Sequence, residues 1–304
     1  MSAQVTPRIA CIGECMIEML LPDANGVGGV TGFAGDTFNA AVYLKRAAPE
    51  IQVSYVTALG TDAASSRMIE AFQARGLDTS LVERRSDRLP GCYAITVSPE
   101  GERSFLYWRS ASAARTLFQT PASVTLDRLD SFDLIYLSGI TVAILDPKVR
   151  AELADYLAAF RARGGQVAFD SNYRPALWPD QATAQEVITR FWSLCSIALP
   201  SVDDEMALFG DADGSAVINR LRGLGVETGA LKCGSAGPLP LERDVARPAF
   251  APSSTVVDTT AAGDSFNGAY LAALLRGADP VECLQAGHDM ANRVIAYRGA
   301  ILPE

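Results

Sequence analysis

The chain has one histidine, His288, in 304 residues, and its six cysteines, at 11, 15, 92, 195, 233 and 283, show no metal-like clustering. His288 falls in the middle of a helical pattern and is read as structural. A chain this long does not need disulfide staples, so the cysteines are read as reduced, mostly buried thiols. Cys11 and Cys15 are the closest pair, and two residues around one strand end explain them better than a redox couple. No apolar run is long enough to span a bilayer. The stretch Ile9-Ala10-Cys11-Ile12 is too short for a signal-peptide core and is followed by acidic residues, so a cytoplasmic protein is expected. Positive charge is also scarce: 26 Lys and Arg stand against 35 Asp and Glu, a net charge of −9. That balance argues against nucleic acid or an anionic membrane as a partner. No repeat or low-complexity segment occurs.

About half of the residues are hydrophobic, 49%, enough to bury a large core in one large or two ordinary domains. Short apolar runs alternate with longer helical patterns. Strands are expected at Arg8 to Gly13, Val53 to Leu59, Leu134 to Ser138, Val167 to Asp170, Ile197 to Pro200 and Gly229 to Cys233. Helices are expected at Thr37 to Ala48, Ala63 to Arg75, Pro147 to Arg163, Ala182 to Leu194, Val217 to Leu224, Gly263 to Arg276 and Pro280 to Tyr297. This alternation predicts an α/β fold with right-handed crossovers, a mostly parallel sheet covered on both faces, and a ligand at the C-terminal ends of its strands. Two stretches, Glu14 to Gly35 and Leu89 to Arg109, break the pattern. They hold strand-like pieces with no helix between them, including Cys92 to Val97 and Ser104 to Trp108 joined by the turn Pro99-Glu100-Gly101-Glu102. They fit either a separate small sheet or an edge hairpin on the main one.

The segment Asp258-Thr259-Thr260-Ala261-Ala262-Gly263-Asp264-Ser265-Phe266-Asn267-Gly268 carries the most chemistry. Small residues let backbone N–H groups converge on an anion, the helix start adds partial positive charge, and Asp264 in the first turn can accept a proton from an attacking hydroxyl. An ordinary capped helix start has the same composition.

This segment resembles the D-T-x-G-A-G-D signature of the ribokinase-like (PfkB) carbohydrate kinases, with Ala261 in place of the first signature glycine. Gly32-Phe33-Ala34-Gly35-Asp36-Thr37-Phe38-Asn39-Ala40-Ala41 resembles the same family's N-terminal sugar-binding segment. Further stretches resemble its 2-keto-3-deoxygluconate branch: Gly13 to Glu18, Gly101-Glu102-Arg103, Tyr107-Trp108-Arg109, Ser112-Ala113-Ala114-Arg115 and Asp170-Ser171-Asn172-Tyr173-Arg174-Pro175. The resemblance covers almost the whole chain. It implies a single ribokinase-like domain over residues 1–304 with a small β lid from about 14–35 and 89–109. The implied activity is ATP-dependent phosphorylation of a sugar acid, with Mg²⁺. The other readings are a fructokinase-like enzyme and a silent sugar-acid sensor.

Carried over residue by residue, the resemblance makes Asp264 the base, kept ionised by its helix N-terminus, and Ala261, Ala262 and Gly263 the source of amides for the transferring phosphoryl group. Ala261 matters as a departure only if its position needs φ > 0 or close approach. Gly35, Asp36 and Asn39 would meet the sugar, although Asp36 also reads as a helix cap. Tyr93, Tyr107 and Arg109 from the lid and Arg174 from a core loop would complete the sugar site. The two guanidiniums suit a carboxylate, which a neutral sugar lacks. Lys232, Gly234 and Gly237 would border the nucleotide, with Ser171 and Asn172 on the same side. Asn292, Gly299 and Ala300 would line the adenine pocket. Glu205 would act on Mg²⁺ through waters, or simply favour the dipole of its helix. Relatives often dimerise through the lid, so a homo-oligomer is the expectation by analogy.

Overall fold

Continuous apolar runs make strands buried on both faces, and these form the middle of the molecule. The computed structural model describes residues 6–21, 31–97 and 103–303. In chain order they form β1 (Arg8–Ile12), β2 (Met16–Leu20), β3 (Thr31–Ala34), α1 (Asp36–Ala47), β4 (Gln52–Gly60), α2 (Ala63–Ala74), β5 (Val82–Arg85), β6 (Cys92–Val97) and β7 (Arg103–Trp108). The second half continues with β8 (Leu134–Ser138), α3 (Gly139–Ile144), α4 (Pro147–Ala162), β9 (Gln166–Asp170), α5 (Gln181–Leu194), β10 (Ile197–Ala198), α6 (Val202–Phe209) and α7 (Gly214–Gly223). The chain closes with β11 (Ala230–Leu231), β12 (Leu239–Pro240), α8 (Ala262–Leu275) and α9 (Pro280–Ile295).

The central sheet has six parallel strands in the order β10-β9-β8-β1-β4-β5. Side chains alternate across it, because successive residues of a strand point to opposite faces. Ile9 and Cys11 of β1 pack with Phe38, Leu44, Met68, Phe72, Phe266 and Tyr270 from α1, α2 and α8. Ala10 and Ile12 pack on the other face with Val142, Leu153, Ile188, Phe191 and Leu221 from α3, α4, α5 and α7. Each such fully buried aliphatic or aromatic side chain contributes about 1.5–3 kcal/mol. Among the described residues no helix is long and apolar enough to cross a membrane.

A second sheet stands apart from the first, with the order β3-β2-β6-β7. Its β2 and β6 are parallel, and β3 and β7 run antiparallel to them. The strand-like pieces that broke the alternation therefore make a separate lid and not an edge hairpin on the main sheet. Residues 22–30 and 98–102, the latter holding the turn expected from sequence at Pro99 to Glu102, lie outside the described residues.

Some expected elements differ. The strand expected from Gly229 shortens to β11, which pairs antiparallel with β12 and touches the main sheet through single bridges at Ala198–Gly229 and Ser201–Lys232. The sixth core strand is instead β5, whose Val-Glu-Arg-Arg sequence has the charge of a sheet edge. Helix α3 follows β8 without a break and buries nearly every side chain, so it has no polar face to announce it. Ser138 begins it, its hydroxyl accepting the Thr141 amide at 3.2 Å.

Candidate active site

Helices α1 and α8 meet closely because Gly268 has no side chain: a Cβ there would stand 2.4 Å from the Ala40 carbonyl oxygen. This approach brings two distant sequence segments into one cleft. Asn39, on the first turn of α1, donates its side-chain amide to Oδ2 of Asp264 at 2.8 Å. Asp36 begins the same helix, and Gly35, not Asp36, is its N-cap. The Asp36 carboxylate accepts the Asn172 side-chain amide at 3.0 Å. Asn172, expected from sequence on the nucleotide side, thus reaches the Asp36 carboxylate.

Asp264 is pushed up from its ordinary 3.8 to about 7. Burial is the largest cause; the negative charge of Asp36 adds to it, and Asp170 adds further, while Asn39 and Lys232 act the other way. The helix terminus therefore does not keep this carboxylate in the usual acidic range. Desolvation and two like charges in the same cleft outweigh it. Burial also raises Asp36, partly offset by hydrogen bonds from Ser138 and the Thr37 backbone.

Ala261 is the N-cap of α8 with φ 60° and ψ 15°, and no side chain caps this terminus. Left-handed backbone at an alanine costs about 1–2 kcal/mol. The signature position does need φ > 0, so the replacement of glycine is not silent. The loop before it is pinned by Asp258, whose two oxygens accept the Thr260 amide at 3.0 Å, the Thr260 hydroxyl at 2.7 Å and the Gly299 amide at 2.7 Å. Gly299, expected near adenine, is thereby tied to the signature loop, and Ala300 beside it is held by Tyr43, whose hydroxyl donates to its carbonyl at 2.9 Å.

A buried polar network lies behind Asp264. Lys232 donates to Asp170 at 2.6 Å and to Asn267 at 3.0 Å, and Asn267 donates to Asp170 at 2.7 Å and to the Tyr136 hydroxyl at 3.0 Å. The Lys232 ammonium also stands beside Gly263. Asp170, Asn267 and Tyr136 were not singled out from sequence as site residues, although Asp170 opens the quoted Asp-Ser-Asn-Tyr-Arg run and Asn267 sits in the signature helix. Ser171 is fully buried beside them. Gly234 and Gly237 flank an exposed turn after β11. Asn292 donates to the Ala251 carbonyl at 3.2 Å and pairs with His288 at 2.9 Å. The His288 ring packs 4.8 Å from that of Phe250, in keeping with a structural histidine.

The two arginines have different partners. Arg174 is half exposed, binding Asp204 at 3.1 Å and the Tyr173 carbonyl at 2.8 Å. Arg109, nearly buried, pairs with the fully buried Glu14. Glu14 is where the lid meets the core: a Cβ on Gly35 would sit 2.1 Å from its carbonyl oxygen, and one on Gly91 2.7 Å from its Oε1. All four chain crossings between the two sheets, at residues 14, 35, 91 and 109, therefore converge on this residue. Sequence placed Glu14 only inside a matching stretch, with no role. In the lid, Tyr93 donates its hydroxyl to Glu18, and its ring lies 5.7 Å from that of Tyr107.

Glu205, expected to act on Mg²⁺ through waters or to favour the dipole of its helix, lies in the first turn of α6. It is fully buried and takes a hydrogen bond from Arg220 at 2.6 Å. Among the described residues no group of three or more His, Cys, Asp or Glu could hold a metal ion. A carboxylate already neutralised by an arginine does not fit a metal ligand.

The pfkB family carbohydrate kinase profile matches residues 6–304. The chain is 42% identical over 306 residues to a 2-dehydro-3-deoxygluconokinase of Escherichia coli strain K12, covering 98% of each. It is 43% identical over 305 residues to a 2-dehydro-3-deoxygluconokinase of Dickeya dadantii, covering 98% of this chain and 97% of that one. A crystal structure of 2-dehydro-3-deoxygluconokinase from Thermotoga maritima superposes with a TM-score of 0.84 at 19% identity, over 98% of this chain and 95% of that one. At that identity the superposition speaks for the ribokinase-like fold.

Proposed function

From the premise that this chain belongs to the pfkB family of carbohydrate kinases, we propose that it transfers the γ-phosphoryl group of ATP to the terminal hydroxyl of 2-keto-3-deoxygluconate, giving the 6-phosphate. The observation that carries the substrate is the identity of 42% and 43% to two 2-dehydro-3-deoxygluconokinases over nearly their full lengths. The geometry that carries the chemistry is Asp264 at the start of an uncapped helix, its Oδ2 accepting the Asn39 amide.

Asp264 accepts the proton of the sugar hydroxyl as that oxygen attacks in line, a role worth about 10²–10⁴-fold in rate. A carboxyl near 7 is well matched to this task at neutral pH. The Gly263 N–H at the start of α8 stabilises charge on the transferring group, with the Lys232 ammonium beside it, while the Ala262 N–H donates to the Thr259 carbonyl at 3.2 Å. Asp36 and Asn39 hydrogen-bond sugar hydroxyls, and Tyr93 and Tyr107 cover them from the lid. Arg174, free on one side to swing from Asp204, meets the substrate carboxylate. Gly234 and Gly237 border the ATP phosphates, while Asn292, Gly299 and Ala300 border adenine. ATP would bring Mg²⁺ with it, which would offset charge on the phosphates, and Glu205, paired with Arg220, would take no direct part in holding it. We place the enzyme in the cytoplasm and expect a homo-oligomer. The open edge strand β7, with Phe105, Leu106, Tyr107 and Trp108 between 40% and 55% exposed, is the face that a second copy would cover.

A coupled ADP-release assay with ATP and Mg²⁺ tests the reading across 2-keto-3-deoxygluconate, its galactonate epimer, fructose and ribose. Preference for the keto-deoxy acids is expected. A fructose or ribose preference would keep the kinase chemistry and remove the carboxylate site, and binding without turnover would leave only a sensor.

A further inference from the structure

A cavity of about 420 Å³ opens between the end of α3, the start of α4 and the segment after the lid, and none of the residues assigned to catalysis or binding lines it. Three arginines face it, Arg88, Arg115 and Arg150, against one acid, Asp146. In a chain of net charge −9, so local an excess of cations marks an anion site.

The single acid is already engaged, since Asp146 caps α4 by accepting the Lys148 amide at 2.9 Å. Arg150 is fixed in place: its guanidinium lies 5.2 Å from the centroid of the Trp178 ring and donates to the Leu145 carbonyl at 3.2 Å. Its Nε is buried and has no partner. Among the described residues no carboxylate forms an ion pair with Arg150 or Arg115, although the buried Glu14, itself paired with Arg109, attracts Arg115 from farther off, and Arg88 has the exposed, sequence-adjacent Asp87 at 3.5 Å. Burial draws the Arg150 guanidinium down from its ordinary range; Asp146 opposes this and the like charge of Arg115 adds to it. Two cations that repel inside a half-enclosed pocket lack the partner their forks are shaped to hold, a planar or tetrahedral oxyanion.

We propose that this cavity is an accessory binding site for a phosphoryl oxyanion, clamped by Arg115 and Arg150 with Arg88 at its mouth. The volume exceeds what a single phosphate fills, and Leu145, Leu177 and Pro179 supply an apolar wall. A phosphate ester with a small carbon skeleton therefore fits the cavity better than the free ion.

The experiment is calorimetric titration of the full chain saturated with a non-hydrolysable ATP analogue, so that the active-site anion positions are filled. The probes are inorganic phosphate and glycerol 3-phosphate. One saturable site per chain is expected, tighter for the ester; equal affinities would identify the free ion as the ligand. Arg115→Gln should weaken binding about tenfold or more, and Arg88→Gln less, because it stands at the rim. Both variants avoid Arg150, whose loss would disturb the packing on Trp178. Unchanged affinity in both variants, or no saturable binding of either probe, overturns the proposal. Because the readout is binding and not turnover, it is independent of the substrate assigned to the active site.

Discussion

Asn39 and Asp264 are 225 positions apart in sequence, yet the Asn39 amide donates to the Asp264 carboxylate at 2.8 Å. The bond fixes one oxygen of the proposed base. Asp264→Asn keeps the acceptor for Asn39 and removes the base. It should lower kcat by about 10²–10⁴-fold while leaving the keto-deoxy acid bound, measured by steady-state kinetics beside equilibrium binding. Equal loss of kcat and of binding would argue against the assigned role.

The same substitution should stabilise the fold at neutral pH. A carboxyl with its folded value raised from 3.8 to about 7 holds its proton more tightly in the folded chain, so the stability this contributes at acid pH is lost as pH rises towards 7. Asparagine never ionises. After allowance for partial solvent screening, a gain of ~1 kcal/mol, or about 2–4 °C in Tm, is expected at pH 7.5, with little difference at pH 4.

The pH dependence of activity follows with the opposite sign. The proton acceptor must be ionised, so kcat/KM should rise with pH and level off above about 7. A profile flat from pH 5.5 to 8 would mean that the free enzyme carries this carboxylate in the ordinary acidic range.

Ala261→Gly tests the left-handed N-cap. Relief of about 1–2 kcal/mol of backbone strain is offset by about 0.4–1 kcal/mol of extra freedom in the unfolded chain, so a net stabilisation of about 0.5–1 kcal/mol is expected by denaturant titration. The substitution removes a Cβ and leaves the backbone amides in place, so kcat should change little.

The two arginines should separate in their effects. Arg174 is about half exposed and its pair with Asp204 is worth about 0–1 kcal/mol, so Arg174→Ala should spare stability and raise KM for the keto-deoxy acid. Arg109→Ala strips the partner from a buried Glu14 and should cost about 3–5 kcal/mol of stability, with Glu14→Gln in the same chain restoring part of it. A fold-neutral Arg109→Ala would show that Glu14 is protonated in the folded enzyme.

Much of this was legible before the structure. Strands buried on both faces carry an unbroken apolar signal, so β1, β4, β8 and β9 stood out, and the helices with one polar face followed. Helix α3 stayed hidden because it is apolar all round, and β5 because its charges belong to a sheet edge. In the site, residues whose partners lie in the same motif could be guessed. Those whose partners lie far along the chain could not: Glu14 and Asp170 carry no sign in the sequence of the Arg109 and Lys232 cations that the fold brings to them. The ionisation of Asp264 was misjudged for the same reason, since the neighbouring Asp36 and Asp170 come from other segments.

The convergence of the four lid crossings on Glu14 also constrains how such a chain can be inherited in pieces. A recombination crossover anywhere between residues 14 and 109 would draw the members of that junction from two parents, although each parental lid is sound in itself. Lids exchanged between relatives should therefore survive as a single cassette that begins before Glu14 and ends after Arg109, and shorter exchanges should fail at the junction even where the sugar-contacting residues agree.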